Sequence, residues 1–388
     1  ALIFILLAIY KKEWFYFNNR LFFFFVIWNF YLIINSLISD NLFLSLESSL
    51  FYFRFGFFVL SIWYIANNNV NFLKNIYYIF LIVILFVLID GFIQFFTGFN
   101  FLGYAYEGGR LSGIFGEEKI LGSFLSRILP IFFGLTIYLF SKNKIRILIP
   151  LLIIVLIDIL VFVTGERTAF FNLILFSLIV IFFTYEWKLI RLLMISISII
   201  LIAIVSTINS QAYDRMVVKT LEQTNILEGK PNIFSIQHQT IYKSAYKIFL
   251  DNPIIGIGPK MFREVCKDNK YQIYVEEDRS INGCQTHPHN FMLQLFTETG
   301  IIGAIPVISL FLFCIFLLFK NIYFIVIKKS LFLTDAHIIL LSPIIINLWP
   351  LVPSGNFFNN YMSILIYFPL GFLIYLVYSN KNYFNKSK

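Results

Sequence analysis

Eleven apolar stretches, cut by short loops that alternate in basic content, constrain this chain more than any other feature. They lie at roughly 1–10, 21–38, 50–66, 76–97, 120–140, 145–164, 169–184, 189–208, 300–319, 337–350 and 360–378. A helix needs about 20 mostly apolar residues to cross a bilayer, and most of these runs approach that length. The chain is 59% hydrophobic and only 13% charged, far from the balance of a soluble domain. The expected fold is an all-α polytopic membrane protein of about 11–12 transmembrane helices. The first run, Ala1 to Tyr10, is too short to span and reads as the end of a truncated helix. It has no basic flank or cleavage site of a signal peptide.

The loops orient the spans. Loops 11–20, 67–75, 141–146, 185–191 and 320–336 and the tail hold 15 Lys or Arg, whereas 39–49, 98–119, 164–168 and 351–360 hold only Arg110, Lys119 and Arg167. The basic set belongs on the cytoplasmic side. The net charge of +9 is therefore mostly a topology signal, with anionic membrane lipids as the partner it favours, and nucleic acid is not needed to explain it. Residues 209–287 form one outer loop too long for the charge rule, carrying ten basic and nine acidic residues. The domain reading is thus a single integral membrane domain over 1–388 with this large outer loop inserted. Within the loop, Ile241, Ala245, Ile248 and Phe249 share a helical face, and "DNPIIGIGPKMF" supplies stop and turn residues. Cys266 and Cys284 lie in the same loop, where an oxidising compartment makes a disulfide plausible; two unpaired thiols are the alternative. Zinc finds no second CxxC or tight Cys/His spacing.

Four charged residues sit inside apolar runs, away from their basic ends: Arg54, Asp90, Arg127 and Asp158. At 1.5 Å per residue they lie roughly 6 to 11 Å below the outer surface. Such residues pair with one another or face a polar cavity. One reading pairs Asp90 or Asp158 with Arg127. The other is an outward cavity lined by Arg54, Arg127 and Arg167, whose surplus of guanidinium groups suits a phosphate-bearing ligand.

The segment "THPHNFMLQLFTETGIIG", 286–303, holds two of the four histidines. Residues 290–299 read as helix, with Pro288 in its first turn and His289 at its N-terminus. The positive end of the helix dipole keeps an imidazole there neutral, as a general base requires. Metal binding, and simple capping, remain open; no carboxylate accompanies the pair, and His287 and His289 are poorly spaced for one metal.

Four segments together resemble the O-antigen ligase/polymerase family. They are His289-Asn290 followed after nine residues by Gly300-Ile301-Ile302-Gly303, "RLSGIFGEEKILGSFLSRILP" at 110–130, "TGERTAFF" at 164–171, and "YKIFLDNPIIGIGPKMF" at 246–262. Glu166 stands where the family usually has Ser. The resemblance implies a GT-C-like, metal-independent, inverting glycosyltransferase that needs no cofactor. Such enzymes move a glycan from undecaprenyl diphosphate to an acceptor hydroxyl at the periplasmic face of the bacterial inner membrane. Carried over, His289 is the base and Arg167 binds the diphosphate. Many relatives have a further Arg where this chain has His238. Arg215, Arg127 or Arg263 would compensate, or His238 would act as a cation; Arg215 ranks above Arg263. Asn290, His287, Arg54 and Arg110 are supporting candidates, and Glu117, Glu118 or Glu166 would be the acidic helper of His289. The complete H-N-x9-G-x-x-G spacing favours an O-antigen ligase acting on lipid A–core. A polymerase using the same donor, with a glycan acceptor, is the alternative, and a lipid-linked oligosaccharide flippase is a further one. A flippase needs midplane polar groups that are not seen here.

Overall fold

The computed structural model describes residues 2–143, 145–208, 210–224, 232–275 and 279–386. Ala1, Lys144 and Lys388, used in the end and charge readings, and parts of the 209–287 loop lie outside them. Among the described residues the chain is helical, with isolated β-bridges and no strand. Seven helices are long and apolar enough to cross a membrane, and three shorter apolar ones, Leu148–Val163, Arg167–Phe183 and Asp335–Asn347, accompany them. The protein is an all-α polytopic membrane protein, as the apolar runs imply.

The chain forms two compact units. The first comprises 1–68, 232–315 and 347–388; the second comprises 69–231 and 316–346. In the first unit, the Asn360–Lys386 helix packs along Arg54–Asn68. Tyr52, Phe55, Phe357 and Tyr367 form an aromatic core there, with Trp28 edge-on to Tyr52 at 5.6 Å. Asn19 caps Arg20–Leu37 by accepting from the Phe22 N–H. Residues 42–49, read from sequence as loop, form a short helix. Asn41 caps it, and Ser45 and Ser49 bury their hydroxyls against Ser36, which gives this polar stretch a helical partner.

The segment that begins at residue 232 of the first unit folds around its own small core. Ile236–Asp251 starts at Ser235 and buries Ile241, Ala245 and Ile248 on one face, with Phe249 half-buried against Phe296. Phe262, Cys266 and Tyr271 complete this core. Cys266 and Cys284 are disulfide-bonded, with Cα atoms 5.1 Å apart, which ties Cys284 to it.

In the second unit, Leu121–Phe140 packs against Leu148–Val163 and Arg167–Phe183, and Lys188–Ile208 packs on both of the latter. Phe133, Phe176 and Trp187 fill the middle. Asp158 is paired here with Arg191. Arg191 grips it bidentately at 2.7 and 3.0 Å, and Ser177 and Ser198 supply further hydrogen bonds. Arg191 sits near the start of its helix and its long side chain reaches inward, so a residue of the basic 185–191 loop supplies the partner. Asp90 accepts from the Phe101 N–H at 2.9 Å and from Asn100 at 3.4 Å, so it pins the 98–113 loop.

Candidate functional site

Each unit carries one cluster of chemically able side chains. In the first unit it is built on the start of the Phe291–Tyr323 helix. Asn290 caps that helix: its Oδ1 accepts from the Leu293 N–H at 3.0 Å, and its Nδ2 donates to the Pro350 carbonyl at 2.6 Å. Pro288 therefore lies before the cap and outside the first turn, where the sequence reading had placed it. His289 precedes the cap with φ 53°, a left-handed conformation that few non-glycine residues adopt. Its carbonyl is held there by the Ser354 N–H at 2.8 Å and the Tyr242 hydroxyl at 3.3 Å. A backbone outlier fixed from two sides is a frequent mark of a functional site.

Three histidines meet around this point. The His287 and His289 ring centroids are 4.0 Å apart, and His238 stands edge-on to His289 at 6.0 Å. His238 shares a hydrogen bond with Ser235 at 2.8 Å, and His287 shares one with Thr286 at 2.9 Å, each through Nδ1. Neither ring nitrogen of His289 has a hydrogen-bond partner among the described residues. Burial, and then the neighbouring His238, push His289 down to about 4; burial and then His289 push His287 down to about 3. The first shift favours a neutral His289 ring at pH 7. The causes are desolvation and a neighbouring imidazole. Burial also lowers His238, which favours a neutral ring over the cationic one expected as a substitute for Arg. Among the described residues, no group of three His, Cys, Asp or Glu is placed to hold a metal ion.

The buried polar face of the same helix holds the two loops around the histidines. Gln294 donates to Glu298 and to Asn356, each at 2.9 Å, and accepts from the Phe357 N–H at 2.9 Å. Glu298 accepts from the Phe262 N–H at 3.3 Å. The helix then breaks at Gly300, at φ 62° and ψ −173°. The Ile301 and Ile302 N–H groups donate to Pro253 and Ile254 of the "NPIIGIG" loop. A Cβ on Gly300 would lie 2.2 Å from the Ile254 carbonyl oxygen, so only glycine lets the two motifs interlock.

The second unit gathers arginines. Arg167 donates through Nε and Nη2 to the Arg215 carbonyl, at 3.4 and 3.2 Å, and also hydrogen-bonds Gln223. Arg215 Nε donates to the Gly165 carbonyl at 3.0 Å, and Arg110 donates to the Lys119 carbonyl at 2.7 Å. Arg215 feels both Arg110 and Arg167 electrostatically. Close backbone approach makes the cluster possible. Gly165 has φ 68°, and a Cβ there would lie 2.1 Å from the Gly109 carbonyl oxygen and 2.7 Å from Arg215 Cδ.

One carboxylate faces this group. Glu166 accepts from the Gly122 and Ser123 N–H groups at 2.6 and 3.1 Å and from the Ser123 hydroxyl at 2.8 Å. It thus satisfies the start of the Leu121–Phe140 helix and complements its dipole. Burial raises its pKa, and those hydrogen bonds and Arg110 oppose the rise. Glu117 and Glu118 are exposed. Arg127 is 4% exposed inside its helix. Arg54, in the first unit, is exposed at the start of its helix and hydrogen-bonded to Asn360.

The chain is thus a polytopic helical membrane protein with an imidazole of lowered pKa in one unit and a guanidinium cluster in the other. A family model described as O-antigen ligase matches residues 150–308, which hold His289, Arg167 and Arg215. The match agrees with the family resemblance drawn from the motifs. No curated protein matches the chain.

Sequence reasoning missed the supports. Tyr242 was readable, since it lies four residues after His238 on one helical face. Ser354, Gln294 and Glu298 gave no local signal, because their roles come from loops distant in sequence.

Proposed function

We propose that this protein is an O-antigen ligase of the bacterial inner membrane. It transfers a glycan from undecaprenyl diphosphate to a hydroxyl of lipid A–core at the periplasmic face. The carrying observation is the His289 ring: half-buried, neutral, uncommitted at both nitrogens and fixed through its own carbonyl.

In the proposed reaction His289 accepts the acceptor hydroxyl's proton as that oxygen attacks the anomeric carbon. The bond from that carbon to the diphosphate oxygen breaks, and the configuration inverts. Undecaprenyl diphosphate leaves with the electron pair. Arg167 and Arg215, with Arg110, bind the diphosphate and stabilise its developing charge; Arg127 and Arg54 are further candidates for electrostatic support. His287 and His238 stand beside the base, and burial and His238 favour its neutral form.

The test uses purified protein in bilayers with a lipid-linked glycan donor and lipid A–core. A ligase forms glycan joined to lipid A–core and releases the lipid diphosphate. Longer glycan that stays on the lipid diphosphate, with lipid A–core untouched, would overturn the ligase reading in favour of a polymerase.

A further inference from the structure

The arginine cluster has a neighbour that neither the motifs nor the family match assigns. Tyr106 lies in the 98–113 loop, three residues before Gly109. That loop comes close to Arg215: a Cβ on Gly109 would lie 2.8 Å from the Gln211 carbonyl oxygen and 3.5 Å from Arg215 Cβ. The loop is well anchored. The Tyr106 N–H donates to the Gly98 carbonyl at 2.8 Å, and Gln94 reaches the Tyr104 and Ala105 carbonyls and Ser112. The Tyr106 ring rests on Phe95 at 6.3 Å.

The Tyr106 hydroxyl is buried and has no hydrogen-bond partner among the described residues; the same is true of Arg110 Nε. A buried polar group without a partner costs free energy, so an apolar ring would be the cheaper choice for packing alone. Two such donors beside Arg215 and Arg167, with the nearby Glu166 committed to a helix start, form a site richer in donors than its own protein partners can satisfy. A diphosphate carries enough acceptor oxygens to take several donors at once.

We propose that the Tyr106 hydroxyl donates directly to a diphosphate oxygen of the lipid-linked donor, as a binding residue beside Arg110, Arg167 and Arg215. The assignment rests on the reading of the arginines as the diphosphate site. Burial, partly offset by Arg215, pushes the phenol up to about 12, so it stays protonated and able to donate.

The experiment measures binding of geranylgeranyl diphosphate to the full chain in nanodiscs by calorimetry, with geranylgeraniol as the control. Thermal unfolding without ligand is measured in parallel. Tyr106→Phe is expected to weaken diphosphate binding about tenfold or more, the loss of one hydrogen bond to a charged group. Geranylgeraniol binding stays unchanged. The ligand-free melting temperature holds or rises, because an unpartnered buried hydroxyl is gone; a purely structural hydroxyl would lower it instead. Arg215→Ala is expected to lose diphosphate binding. If Tyr106→Phe binds like the unaltered protein while Arg215→Ala does not, Tyr106 is no donor and the arginine reading stands. If Arg215→Ala and Arg167→Ala both keep full affinity, the arginine reading fails and the Tyr106 assignment fails with it.

Discussion

Replacing Gly300 with Ala tests whether the two sequence motifs of the first unit depend on one another. Gly300 has φ 62° and ψ −173°, a region essentially closed to residues with a side chain. Holding alanine there costs about 1–3 kcal/mol. The added Cβ would also meet only backbone: the Ile254 carbonyl oxygen at 2.2 Å and the Gly256 nitrogen at 2.6 Å. Backbone cannot swing aside, so the 253–258 loop must move. That strains the hydrogen bonds from Ile301 to Pro253 at 2.9 Å and from Ile302 to Ile254 at 3.2 Å, each worth about 0.5–1.5 kcal/mol. The total is about 2–6 kcal/mol. Gly355→Ala is the internal control. Its Cβ would meet only the flexible Met362 side chain, at 3.3 and 3.5 Å, which can turn away. Alanine also restricts the unfolded chain by about 0.4–1 kcal/mol, so the net change is within about 1 kcal/mol. Thermal unfolding in detergent separates the two, at about 2–4 °C per kcal/mol. Gly300→Ala should fall by about 10 °C and Gly355→Ala should shift by a few degrees at most. A Gly300→Ala protein as stable as Gly355→Ala would refute the interlock.

Three further outcomes follow from the structure. Arg191→Met should cost about 3–5 kcal/mol by stranding the buried Asp158 carboxylate, whereas Arg191→Met with Asp158→Leu should recover most of it; a double variant no more stable than the single one contradicts the pairing. His287 and His289 have folded pKa values depressed to about 3 and about 4 from 6.5. The unfolded chain therefore takes up protons that the folded one refuses, and stability is full above about pH 6.5 and declines as pH falls toward 4 and then 3. His287→Asn with His289→Asn should flatten that decline in melting temperature, and an unchanged slope would deny it. Cys266→Ser should lower stability by about 3 kcal/mol, the chain-entropy value for a loop of 18 positions, seen as loss of sensitivity to reductant in thermal unfolding.

The fold was legible in sequence because a bilayer demands long apolar helices, and nothing else explains eleven such runs. The face of the 236–251 helix was readable for the same reason, from Ile241, Ala245 and Ile248. Partner choice was not readable. Asp158 takes Arg191 because that side chain reaches inward from a loop counted only for its charge. His289 was legible as a candidate base, but its surroundings were not. Asn290 takes over the helix cap, and the ring sits among two other imidazoles that only tertiary structure assembles. Gly300 stood out in sequence only as part of a motif, whereas its positive φ marks a break needed by a loop some 45 positions earlier. Polar supports such as Gln294 and Ser354 left no trace, because their partners lie in chain segments far from them in sequence.

The account stands or falls on His289 as the group that takes the acceptor's proton. Its most direct measurement is single-turnover transfer from a defined lipid-diphosphate donor by the His289→Ala protein, with donor affinity and melting temperature measured on the same preparation. Loss of a general base predicts a rate lower by about 10²–10⁴, with donor affinity and folding retained. A His289→Ala protein that binds donor, stays folded and transfers glycan at the unaltered rate would contradict it.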